Sequence, residues 1–250
     1  YINILETIFI NLVNFSKSML DVKKIQEMIM KRPDFKAENL PKHVIINIPE
    51  QEKFEEKEKK KEVNNKRLES IKQIIESQIE YNIPILTLNL GKKADLLTDT
   101  GHMHLFDDYL PIIAKEKKIR VLVIGKWTGI TGYIVDYMKK ITLETKEYND
   151  FFLNICIGYD PYQEIADACK VMVKKIELNK EDEFAVDVEK VKENIYSSYF
   201  LPADMIVEFG KTFTGTFMWD SVGAKILFLE KSFDLYSKND FVKALEFYRK

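Results

Sequence analysis

Apolar residues in this chain follow two periods, and the two alternate along its length. Six short runs, His43–Ile48, Ile83–Leu90, Arg120–Ile124, Phe151–Ile157, Asp204–Glu208 and Lys225–Glu230, have the length and β-branched content of buried strands. Between and after them apolar residues recur at helical spacing: Leu68, Ile71, Ile75 and Ile79; Ile134, Met138 and Ile141; Ile165, Cys169, Met172 and Ile176; and finally Phe241, Val242, Leu245 and Tyr248. Strands alternating with helices predict an α/β fold, with a central, mostly parallel six-stranded sheet flanked by helices. Ligands in such sheets gather beyond the carboxyl ends of the strands, so a site is expected in the loops after Ile48, Leu90, Ile124, Ile157 and Glu208.

Upstream of the first strand, Leu5, Ile8, Phe9, Leu12 and Val13 form a one-sided stripe. Residues 1–40 are read as an N-terminal amphipathic helical segment and residues 41–250 as one domain. The stripe suits packing on the domain or on a dimer partner, or a membrane surface. Asn3, Glu6, Asn11, Asn14 and Lys17 interrupt it too often for a spanning helix. A first residue of Tyr rather than Met leads us to expect a longer chain. The mixed-sign stretch Pro49–Glu62 reads as a solvated loop or frayed helix start, or else a charge-mediated docking surface.

With 250 residues and 46% hydrophobic content, the chain can bury a sizeable core. Lys+Arg at 38 against Asp+Glu at 40 gives a formal charge of -2, which argues against a nucleic-acid footprint. Cys156 and Cys169 lack ligand spacing, and a reduced, intracellular setting is expected. His102 and His104 beside Asp107 and Asp108 have no third His or Cys to complete a zinc set, so they read as a polar loop with a helix N-terminus at Asp107. GKWTGITG, with Gly125 and Gly129, lacks the phosphate-loop pattern and reads as a strand-to-helix turn capped by Thr128 or Thr131. No GxSxG nucleophile elbow is present.

The segments HVIINI, FFLNICIGYDPYQEI, PADMIVEFG, TFMW and DFVKALEFY, in that order across roughly Lys42–Lys250, resemble the cis-prenyltransferase (undecaprenyl/dehydrodolichyl diphosphate synthase) family. VEFG followed by GTFMW is most similar to the Nogo-B receptor type of non-catalytic subunit. The resemblance implies that the family's charged positions are replaced here. Pro49 stands where an aspartate works with Mg2+, Tyr162 stands for an arginine, Lys225 for an acidic metal ligand, and the loop after Glu208 has no arginine. It implies no catalytic and no metal-binding residue, since pyrophosphate departure needs Mg2+ and cationic donors. Asp160 and Glu164 remain, as remnants or as helix N-terminal carboxylates.

The resemblance further implies a non-catalytic (accessory or regulatory) subunit of a heteromeric dehydrodolichyl diphosphate synthase complex. That complex would supply polyprenyl diphosphate for dolichol and protein glycosylation, at the cytosolic face of the endoplasmic reticulum membrane. The chain would bind no cofactor, and Mg2+ would belong to a catalytic partner in a heterodimer or heterotetramer. Phe209, Gly210, Gly215, Phe217 and Trp219 would form the structural or interface frame of a strand, a glycine loop and a Trp-bearing helix start, with Thr216–Leu229 and the last helix as pairing surfaces. The family subunit's Arg-x-Gly tail has no counterpart in Tyr248, Arg249 and Lys250, and Arg249 is assigned no role. Two alternatives stay open: a divergent cis-prenyltransferase active on its own through Glu50, Asp160 or Glu164, and an α/β binding module with an unrelated ligand.

Overall fold

The six apolar runs fold as strands β1 (His43–Asn47), β2 (Ile85–Asn89), β3 (Ile119–Ile124), β4 (Phe151–Cys156), β5 (Met205–Phe209) and β6 (Lys225–Leu229). The computed structural model describes residues 39–50, 56–91, 105–126, 132–178, 186–198 and 200–250. The strands join in one sheet of order β3-β4-β2-β1-β5-β6, with every pair parallel. Around it lie helices α1 (Lys57–Glu80), α2 (Leu110–Lys117), α3 (Gly132–Glu144), α4 (Pro161–Glu177), α5 (Val188–Asn194) and α6 (Lys238–Arg249). A π-helical turn, Leu105–Tyr109, leads into α2.

Side chains alternate across a strand, so each strand feeds two faces. One face is wholly apolar: Val44, Ile46, Leu86, Leu88, Val121, Leu153 and Val207 pack on Ile71 and Ile75 of α1, Met138 of α3 and Phe241 of α6. Each such side chain, taken fully from water, contributes about 1.5–3 kcal/mol. The other face mixes Ile45, Ile85, Phe152 and Ile206, packed under Tyr159, Tyr196, Phe200 and Phe217, with buried His43, Asn47, Thr87, Asn89, Asn154 and Glu208. Parallel strands must be covered on both faces. Here only one face is covered by a purely hydrophobic layer.

Local chemistry fixes the connections. Asp160 caps α4 by accepting from the Tyr162 and Gln163 N–H groups, with Pro161 in the first turn, and Ser237 and Asp240 close a capping box on α6. Gly125, after β3, has φ +99, and a Cβ there would lie 2.4 Å from the Ile157 carbonyl oxygen. The turn in GKWTGITG is therefore structural at its first glycine.

Two expectations are corrected. Thr216–Asp220 is a tight turn, not a helix start: Asp220 and Ser221 both donate to the Phe217 carbonyl, and Phe217 itself has φ 47. The buried face of α4 runs through Glu164, Asp167, Ala168 and Met172, leaving Cys169 exposed, because both carboxylates find hydrogen-bond donors inside. The charged stretch Pro49–Glu62, read as a solvated loop or frayed helix start, is helical from Lys57 onward, in line with that reading. The amphipathic stripe of residues 1–38, His102, His104, Thr128, Gly129 and Thr131 lie outside the described residues.

Candidate functional site

The register of β1, β2 and β5 assembles the site. Asn47 pairs with Asn89 across β1 and β2, and Ile46 with Val207 across β1 and β5, so Asn47, Asn89 and Glu208 come together at the carboxyl ends on the mixed face. The Gly210–Gly215 loop returns over them. Asn47 Nδ2 donates to Glu208 Oε1 at 2.7 Å, and the Thr214 N–H and hydroxyl each donate to the same oxygen at 2.9 Å. Thr216 Oγ1 donates to Asn47 Oδ1 at 2.7 Å and accepts from Asn89 Nδ2 at 2.7 Å. Glu208 has no accessible surface, and its second oxygen, Oε2, has no hydrogen-bond partner. Burial raises its carboxyl pKa above the ordinary value, against the hydrogen bonds from Thr214 and Asn47.

A second buried carboxylate lies at the start of α4. Glu164 Oε2 accepts from the Tyr159 hydroxyl at 2.6 Å, and Oε1 accepts from the Tyr196 and Ser197 N–H groups at 2.9 and 3.2 Å. Tyr159 oxygen in turn accepts from the Phe217 N–H at 2.9 Å. Burial lifts Glu164 to about 7, while these hydrogen bonds restrain the rise. Asp167, one turn further on, accepts from the Tyr196 hydroxyl and lies 3.6 Å from Lys126 Nζ. The turn that follows the glycine loop is therefore tied to Glu208 through Thr214 and to Glu164 through Tyr159.

The three positions that the resemblance marks as replaced lie apart. Pro49 lies at the end of β1, where its carbonyl accepts from Arg67 Nη2 at 2.6 Å. Tyr162 is 76% exposed on α4. Lys225 opens β6 opposite Met205, at the far end of the sheet from Asn47, and donates to the Tyr248 carbonyl at 2.7 Å. The turn at Thr216–Asp220 carries the chain back across the sheet, and this separates Lys225 from Pro49. Of the frame residues, Phe209 packs on Phe233 at 5.1 Å, Gly210 donates to the Leu229 carbonyl and Phe217 is wholly buried against Tyr159. Gly215 has φ +79 beside Pro161, and Trp219 is partly exposed. Thr216 and Phe217, expected on a pairing surface, are buried inside the chain; Met218, Val222 and Phe228 are the exposed apolar residues of that stretch.

Sequence reasoning missed Asn47, Asn89, Thr214 and Thr216. For Asn47 and Asn89 the signal was a polar residue closing an otherwise apolar strand, whereas Thr214 and Thr216 lie in the loop and turn after β5 and carried none. The sequence holds four arginines, Arg32, Arg67, Arg120 and Arg249. Arg67 is stacked on Phe233 and Arg120 donates to the Tyr148 carbonyl and to Asn149, so neither reaches the Asn47–Glu208 cluster. Among the described residues no group of three His, Cys, Asp or Glu could hold a metal ion. Glu208 is the one carboxylate in the cluster, and its Oε1 is already taken by three hydrogens, so these residues do not fit a Mg2+ site. A cavity of 690 Å³ on the other face, beside Arg67, Phe209 and Lys211, is ringed by Glu50, Glu230 and Asp234 as well. No helix among the described residues is long and apolar enough to cross a membrane.

Known proteins share this architecture. A tritrans,polycis-undecaprenyl-diphosphate synthase (geranylgeranyl-diphosphate specific) of Methanocaldococcus jannaschii is 26% identical over 244 residues, covering 92% of this chain and 87% of that protein. An isoprenyl transferase of Thermus thermophilus is 26% identical over 140 residues, covering 54% of this chain and 53% of that protein. The structure of lavandulyl diphosphate synthase from Lavandula x intermedia, in complex with dimethylallyl diphosphate, superposes with a TM-score of 0.72 at 17% identity. That match covers 85% of this chain and 96% of the other, and at such identity it speaks to the fold alone. The family model described as "Putative undecaprenyl diphosphate synthase" matches residues 51–250, and the chain belongs to the cis-prenyltransferase (undecaprenyl diphosphate synthase) family.

Proposed function

We propose that this chain is a non-catalytic member of its family, which acts by pairing with a catalytic cis-prenyltransferase chain. One observation carries the reading. Among the described residues, the side chains that meet at the carboxyl ends of β1, β2 and β5 are two asparagines, two threonines and a buried glutamate, with no cation. Departure of pyrophosphate requires positive charge at the leaving group, and one preorganised donor of that kind is worth roughly two to three orders of magnitude in rate. A carboxylate in that place opposes the charge that develops. The exposed Met218, Val222 and Phe228, beside the sheet-edge strand β6, supply a surface suited to a partner. In this reading Mg2+ is held by the partner, and the complex makes polyprenyl diphosphate for dolichol at the endoplasmic reticulum membrane.

Direct assay tests it. The purified chain with an allylic diphosphate, isopentenyl diphosphate and Mg2+ is expected to yield no product alone, and to raise the output of a co-purified catalytic chain. Robust product from the isolated chain would sink the reading. It would favour a divergent transferase with its own activity, a role in line with the names of the curated relatives.

A further inference from the structure

We infer that the Glu208 carboxylate is an internal anion: it fills a cradle of donors, Asn47 Nδ2 with the Thr214 N–H and hydroxyl, that would otherwise take an oxygen of an external phosphate or carboxylate. The three donors converge on a single oxygen at 2.7, 2.9 and 2.9 Å. Convergence of a backbone N–H and short polar side chains on one point at the carboxyl end of a parallel sheet is how such folds receive anionic ligands. Asn89 and Thr216 stand behind the donors and fix them, through bonds of 2.7 Å from Asn89 to Thr216 and from Thr216 to Asn47.

The wiring of Glu208 is one-sided. Oε1 receives three hydrogens and Oε2 none, although both are shut away from water. An orphaned buried polar atom is costly, and a buried carboxylate without a cation more so. A glutamine would tie the loop to Asn47 without an unpaired charge, so loop-holding alone does not account for a carboxylate. What a carboxylate adds is a negative oxygen held permanently where a ligand's would sit. Thr214 is exposed, so the cradle lies just under the surface and a small oxyanion could enter once the side chain is shortened. Glu208 thereby determines specificity: it keeps the site closed to oxyanions.

The inference rests on the non-catalytic reading only in its consequence, and the two can fail separately. Turnover by the isolated chain would sink that reading and leave the cradle intact. The test uses the whole chain and three probes, inorganic phosphate, pyrophosphate and formate, added without metal, with binding followed by calorimetry and melting temperature. The wild type and Glu208→Gln, whose side chains still fill the cradle, are expected to ignore all three. Glu208→Ser is expected to bind at least one of them about tenfold or more tighter than the wild type, with a saturable rise in melting temperature. Formate alone would mark a carboxylate cradle, and phosphate or pyrophosphate a phosphate one; either supports the inference. If Glu208→Ser is unfolded in plain buffer, refolding on titration with a probe supports it equally. A folded Glu208→Ser chain no more responsive than the wild type overturns it, as does an unfolded one that no probe rescues.

Discussion

Glu164 and Glu208 are buried to nearly the same degree, in the same layer, and hold the same segment from its two ends, yet they are wired differently. Glu164 spends both oxygens on three donors from two chain segments. Glu208 spends one oxygen on three donors and leaves the other bare. The first arrangement is a clamp in which the carboxylate completes every neighbour. The second suits a group placed for its charge. Burial alone therefore does not tell a structural carboxylate from one that sets the chemistry of a site; the donor pattern does.

The comparison breaks most sharply at Glu164. Replacing Glu164 with Ala strands the Tyr159 hydroxyl and the Tyr196 and Ser197 N–H groups in a dry layer, each at a cost of about 1–3 kcal/mol. With partial resolvation, urea denaturation should show a loss of about 4 kcal/mol, and Phe217 should lose the support of Tyr159.

The pH dependence should be next in size. The folded-state pKa of Glu164, about 7, lies above its ordinary 4.5, so between those values the folded chain binds more protons than the unfolded one. The resulting stability is fully present below pH 4.5 and is lost as pH rises through 7. The expected difference, on the order of 3 kcal/mol between pH 4.5 and 8, follows from the shift of the single group. It is read as the wild-type stability profile minus that of Glu164→Gln, which should lack this slope. Equal slopes in the two chains would refute the assignment.

Glu208→Gln should have the smallest effect. The amide oxygen keeps all three donors and the amide nitrogen takes the place of the bare oxygen, so melting and urea curves should move by no more than about 1 kcal/mol. A loss as large as that of Glu164→Ala would mean that Glu208 is a clamp too, and the distinction between the two carboxylates would fall.

Much of the fold was legible in the sequence because a buried parallel strand and an amphipathic helix write different periods. HVIINI and FFLNICI could only be strands between helices, and β1 and β4 lie where those runs predict. The α4 face was misjudged because Ile165 and Cys169 follow the helical period as well as Glu164 and Ala168 do. Only the presence of Tyr159 and Tyr196 as donors makes the carboxylate face the buried one. The turn after Gly215 was taken for a helix start because TFMW is apolar. Phe217 instead adopts a left-handed conformation, held by burial against Tyr159 and by its own N–H on the tyrosine oxygen.

By itself, then, the sequence determined the six strands, the four helices whose apolar stripes it shows (α1, α3, α4 and α6) and the membership of a family, since these rest on periodicity and on the order of local segments. Only the tertiary structure decided what occupies the carboxyl ends of β1, β2 and β5. Asn47, Asn89, Glu208 and Thr216 are far apart in the chain and meet only through the strand register and the returning loop. The direction in which each donor points, and so which carboxylate oxygen is left bare, is a property of that packing and of no single segment.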